Sequence, residues 1–177
     1  MKSTSEMICK HSAATQSSGL VLVTVENSLE GDHGIAQRVC DALDVDLLAR
    51  LCRFDLGVDK NLLGETFAGH HSAIIVDATR SGSVSGSISI TDLSVVASGS
   101  WAAPLKYPST HGLSLLEDLI LTTGRIALPK HIILFAIEVS EVDWTDSASS
   151  TIERCLPSMA KSLSRLVLST LAITHNC

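Results

Sequence analysis

Aromatic side chains are scarce in this chain, with three Phe, two Trp and one Tyr among 177 residues. Ring packing cannot dominate such an interior, so aliphatic side chains must fill the core. Runs of basic residues are also missing. The 13 Lys and Arg are scattered and outnumbered by 19 Asp and Glu, so the electrostatic footprint of a nucleic-acid binder is absent. No apolar stretch is long and clean enough to span a bilayer, which argues against a membrane role. The five cysteines, Cys9, Cys40, Cys52, Cys155 and Cys177, are odd in number and contain no CxxC pair. Neither a disulfide framework nor a zinc ribbon is indicated. Cys40 and Cys52 lie in apolar surroundings and read as packed thiols. Residues 1–18 are rich in Ser and Thr and lack the apolar stretch of a secretory signal. They read as a mobile tail ahead of a single α/β domain over residues 19–177, a monomer in a reducing cytoplasm.

Nucleophilic protease signatures are missing as well. The chain has no Gly-x-Ser-x-Gly elbow, no His-Glu-x-x-His, and no cysteine in a setting that would lower its pKa. Any peptide-bond cleavage would have to use a water activated by a metal or a carboxylate.

Three aliphatic runs are present. Leu20 to Val25, Ala73 to Ala78 and Ile132 to Val139 are expected to be strands buried on both faces. A weaker strand is expected near Leu51 to Phe54. Ser87 to Leu93 alternates apolar and polar residues like a half-buried strand. Ile35, Val39, Ala42 and Leu43 recur at helical spacing, predicting a helix from about Gly34 to Ala49. A short helix is expected over Asn61 to Phe67, and an amphipathic one from Ser147 to about Ala172, where Pro157 could kink or split it. Ser81 to Ser87 reads as a loop, and Ala97 to Thr110, with Pro104 and Pro108, as a long irregular connection. Ser109 or Thr110 can then cap a helix from His111 to about Thr123. Alternating strands and helices imply βαβ units and a mostly parallel sheet.

Ligands of such sheets bind beyond the carboxyl ends of the strands. Strand direction places three polar segments on that rim: Glu26 to Gly34, Asp77 after four aliphatic residues, and Ser109-Thr110-His111-Gly112-Leu113. Taken alone, each has a bland explanation. Asp32 could cap the following helix while Gly34 relieves strain, Asp77 could cap a neighbour or face solvent, and His111 could be an ordinary helix-start residue. The adjacent His70-His71 precedes a buried strand and reads as surface loop.

Together the segments resemble the maturation endopeptidases of nickel–iron hydrogenases. Asn27, Leu29, Asp32, Gly34, Ile35, Ala36 and Arg38 match the family's first motif. Glu26 replaces its usual glycine, and His33 replaces its usual metal-binding acid. Asp77 matches a metal-binding aspartate, and His111 matches a histidine in a Ser/Thr-x-His segment before an apolar helix. There the helix dipole favours the neutral, ligating imidazole. Asp55-Leu56-Gly57, followed by Leu62-Leu63, matches an acidic loop but lacks its threonine.

The resemblance runs from about Leu20 to Val167. It implies a three-layer α/β/α sandwich of the phosphorylase/hydrolase-like kind, with a mostly parallel central sheet. It further implies a hydrolase that removes the C-terminal extension of a hydrogenase large-subunit precursor after nickel insertion, with the nickel as recognition signal. His33, Asp77 and His111 would contact nickel carried by that substrate, or zinc or cadmium as a surrogate, and Asp55 would act on water or orient the scissile peptide. Two imidazoles and one carboxylate suit such borderline cations better than hard ones. Two other readings stand beside this one: a metal-dependent checkpoint or assembly chaperone that binds the precursor without cutting it, and an unrelated α/β ligand-binding domain.

Overall fold

A computed structural model of this protein describes residues 19–25, 31–57, 63–97, 127–140 and 148–174. The expected tail over residues 1–18, most of the first rim segment, the long connection beyond Ala97 and the helix expected from His111 lie outside these residues.

The aliphatic runs form the strands expected of them. β1 is Leu20–Val25, with every residue buried. β2 is Cys52–Asp55, β3 is Ser72–Thr79, β4 is Ile88–Asp92 and β5 is His131–Glu138. They make one sheet in the order β2-β1-β3-β5-β4. The pairs β1–β2, β1–β3 and β3–β5 are parallel, and only the edge pair β4–β5 is antiparallel. β3, in the middle, is buried throughout, because both faces of the sheet are covered.

Strand alternation separates two cores. Leu20, Leu22, Ile74, Val76, Phe135 and Ile137 face one side. That side is covered by α1 (Ile35–Asp41), by the one-turn helix α2 (Val45–Leu48) and by a long C-terminal helix. Val21, Val23, Ala73, Ile75, Ile132 and Leu134 face the other side. There α3 (Leu63–Phe67) contributes Leu63 and Phe67, and the one-turn helix α4 (Ser94–Ala97) follows β4. Helices on both faces of a mostly parallel sheet make the fold α/β.

Two helices differ from their sequence patterns. The apolar periodicity of Ile35 to Leu43 continues toward Ala49, yet the chain breaks between α1 and α2. Asp44 takes extended backbone angles, φ −59 and ψ 137, and its carboxylate accepts from the Asp46 amide at 2.8 Å. This local bond offers the chain a fresh helix start in place of continuation. The C-terminal helix α5, Ser150–Thr174, begins a turn later than the expected Ser147 and passes through Pro157 in one piece. Pro157 lies on the exposed side of α5, as does Glu153 four residues earlier. Water can therefore satisfy the Glu153 carbonyl that proline leaves without a donor. Ile152, Met159, Leu163, Val167 and Leu171 form the buried stripe of α5, each contributing about 1.5–3 kcal/mol by burial.

β5 lies between two strands that are consecutive in the chain, β3 and β4. The loop joining those two must therefore pass over the end of β5, and it comes close to α5 at Gly86. Gly86 has φ +86, and a Cβ placed there would lie 2.8 Å from the Cys155 sulfur. Gly82 has the same φ but nothing within 4 Å of its would-be Cβ. Gly86→Ala should therefore cost about 2–4 kcal/mol, combining left-handed strain with overpacking, while Gly82→Ala should cost about 1–2 kcal/mol. Urea unfolding of both variants checks the difference. Adding Cys155→Ala to Gly86→Ala should recover part of the larger loss.

Candidate functional site

The parallel strands end on one rim, and Asp77 lies just short of it. In register it sits between Val25, the last residue of β1, and Ala136 of β5. Its fractional exposure is 0%. An ionised carboxylate so deeply buried requires a compensating cation, donors or a proton, since its desolvation alone costs several kcal/mol. Sequence and strand direction predicted the position. The complete burial exceeds what an aspartate that merely faces solvent would show.

Of His33 the backbone alone is described. It lies in the 3-10 turn Gly31–Gly34, which leads from β1 into α1 at the same rim as Asp77. His111 lies outside the described residues. Among the described residues, no three His, Cys, Asp or Glu side chains form a metal-binding group.

Asp55 ends β2, is exposed, and accepts a hydrogen bond from the Gly57 amide at 3.1 Å. Its register partner is Thr24, whereas that of Asp77 is Val25. Strand alternation therefore sets the two aspartates toward opposite faces of the sheet. With β1 between their strands, their backbones are roughly 10 Å apart.

Two other residues of the first motif have structural roles. Asp32 is 5% exposed, and its carboxylate accepts from the Ser149 amide at 2.5 Å. The Ser149 hydroxyl accepts in turn from the Ile152 amide at 3.4 Å. Asp32 thus supports the N-terminus of α5, 117 residues along the chain, and not that of the helix following it. Arg38 of α1 pairs with Glu153 of α5 at 2.6 Å. That pair is solvent-exposed, so it orients more than it stabilises. Both residues fasten the C-terminal helix beside the rim.

Glu138, at the end of β5, escaped the sequence reading. It is 4% exposed. Its carboxylate accepts from the Ser81 amide at 3.0 Å, the Ser81 hydroxyl at 2.8 Å, the Gly82 amide at 2.8 Å and the Ser83 amide at 3.1 Å. Successive backbone amides around an anion form a nest, and this one holds the β3–β4 loop over β5. Burial pushes the Glu138 pKa up, but the hydrogen bonds from Ser81, Gly82 and Ser83 outweigh it and hold the pKa below the ordinary 4.5. The signal was present as a carboxylate at a strand end and a Ser-Gly-Ser loop, but their 57-residue separation hid the pairing.

A depressed carboxylate pKa contributes stability that is present above the unfolded value and lost as pH falls through the folded one. Glu138→Gln should therefore destabilise the chain by about 1.5–3 kcal/mol near neutral pH. The gap between wild type and variant should close as pH drops below 4.5. Denaturant unfolding across that range measures it.

The opposite, amino-terminal rim carries a second polar group. His71 precedes β3, His131 opens β5, and their ring centroids are 5.4 Å apart with planes tilted by 48°. Both are half-buried, so the expected surface-loop character of His70-His71 holds only in part. Asp92, at the end of β4, accepts from the Ser94 amide at 2.8 Å. Its pKa is lowered by hydrogen bonds from the Ser94 side chain and backbone, against a burial effect, and by the nearby His131.

No protein-family model and no curated protein sequence matches the chain. Solved structures do. The hydrogenase maturating endopeptidase HybD from E. coli superposes with a TM-score of 0.65 at 16% identity, covering 85% of this chain and 93% of its own. The [NiFe] hydrogenase maturation protease HybD from Thermococcus kodakarensis gives 0.58 at 17% identity, covering 84% and 98%. The endopeptidase HycI from Escherichia coli gives 0.58 at 20%, covering 82% and 88%. Between 88% and 98% of each of these structures is matched. The chain has the fold of the hydrogenase maturation endopeptidases.

Proposed function

We propose that this chain is an endopeptidase that removes the C-terminal extension of a nickel–iron hydrogenase large-subunit precursor once nickel has been inserted. The observation that carries this reading is Asp77, a fully buried carboxylate at the carboxyl rim of a fold shared with hydrogenase maturation proteases. His33, Asp77 and His111 would contact the nickel carried by the precursor. Zinc or cadmium would substitute in the free protein, because the donor set suits borderline cations. A neutral histidine at position 33 leaves Asp77 as the sole anion of the trio, which weakens the hold on any cation and suits a nickel that must leave with the substrate. Asp55 is the candidate for acting on water or orienting the scissile peptide.

One observation favours a second reading, a checkpoint that binds the precursor without cutting it. Asp55 is exposed, engaged by Gly57 and set toward the opposite face from Asp77. Incubating the purified chain with nickel-loaded precursor distinguishes the two. Loss of the C-terminal peptide, read by mass spectrometry, supports the protease. Metal-dependent binding of an intact precursor supports the checkpoint.

A further inference from the structure

The amino-terminal rim lies across the sheet from Asp77, and the endopeptidase reading gives it no task. Its two imidazoles come from separate strands: His71 from the bend before β3, and His131 from the first residue of β5. Their backbones are tied together, since the His131 amide donates to the His71 carbonyl at 3.4 Å. The His71 amide itself donates to the Gly19 carbonyl at 3.0 Å. The rings therefore hang from a fixed frame, not from a free loop.

Two features point to a ligand. The Nε2 atom of His71 is buried and has no hydrogen-bond partner among the described residues. A buried ring nitrogen without a partner is costly, and a neutral one offers a lone pair. The second feature is the ring spacing. Two imidazoles on one tetrahedral zinc, each with a metal–nitrogen distance of about 2.0–2.1 Å, have centroids about 5.2 Å apart. The observed 5.4 Å is close to that value. Asp92 adds a carboxylate near His131. Among the described residues no third protein ligand is gathered there, so water would complete the coordination.

We propose that His71 and His131 form a second metal site, at the amino-terminal rim, for a borderline divalent cation such as zinc. Asp92 contributes the neighbouring negative charge. The cation would bridge the starts of β3 and β5 and so clamp the centre of the sheet. This site is independent of the endopeptidase reading, because none of its residues belongs to the carboxyl rim.

The test is zinc titration of the full chain, followed by calorimetry and by the imidazole nitrogen resonances of each histidine. Zinc should shift the resonances of His71 and His131 in wild type and equally in Asp77→Asn. It should also raise the melting temperature by mass action. His71→Asn and His131→Asn should each weaken this binding by more than the roughly 10–100-fold typical of losing only an outer-shell partner. Circular dichroism of the variants without zinc checks that they fold. If either variant fails to fold, the wild-type resonances still decide. Unmoved His71 and His131 resonances at saturating zinc would overturn the proposal, as would unchanged zinc binding in both folded variants.

Discussion

Replacing Asp77 with asparagine is expected to abolish processing of a nickel-loaded precursor while leaving the chain folded. The side chain is fully buried at the centre of the sheet, and asparagine nearly preserves its volume while removing its charge. Removing a charge from an apolar interior relieves desolvation, so any lost interaction is partly offset. The melting temperature should therefore change little, or rise. Cation binding should fall sharply, because Asp77 is the only anionic member of the proposed trio. On the nickel-contact reading, His111→Ala should abolish metal binding at the carboxyl rim near neutral pH. Both losses can be followed by calorimetry with nickel, and processing by the mass of the large subunit. A folded Asp77→Asn variant that still trims the precursor at the wild-type rate would remove Asp77 from the mechanism.

The sheet was legible because its strands carry their own evidence. The aliphatic stretches within Leu20–Val25, Ser72–Thr79 and His131–Glu138 are buried on both faces, except for the half-buried Ile133. Runs of that length leave few alternatives to parallel strands. The position of Asp77 followed from strand direction alone, since every parallel strand presents its carboxyl end to the same rim. The break after Asp41 was less legible. Apolar periodicity continues through the break, and the deciding event is one carboxylate, Asp44, choosing a local amide. Long-range polar pairs were harder still. Asp32 holding Ser149 and Glu138 holding the Ser81 loop connect residues far apart in the chain. Neither partner alone reveals the other. Asp32 suits a cap of the helix that follows it and Arg38 matches the family's first motif, whereas their described contacts fasten α5.

Asp55→Ala is expected to separate cutting from binding. Asp55 is exposed at the end of β2, where its carboxylate accepts locally from the Gly57 amide. Losing that bond from a solvated turn should cost about 0.5–1.5 kcal/mol, too little to unfold the domain. If Asp55 orients the scissile peptide or its attacking water, the variant should retain nickel-dependent precursor binding while processing falls by at least about 100-fold, as for removal of a general base. The opposite-face register means that the substrate tail would have to pass over the end of β1 to meet both Asp77 and Asp55, a backbone separation of roughly 10 Å. A nickel anchored near Asp77 and a peptide bond cut near Asp55 would then be two distinct points on one extended segment. His33→Asp, which restores the family's usual acid, should keep at least partial processing in this arrangement, because it alters the anchor and not the cutting point. Equal loss of precursor binding and processing in Asp55→Ala would place Asp55 in the docking surface instead. A wild-type chain that binds a verified nickel-loaded precursor and leaves it uncut would make the checkpoint the function of this fold.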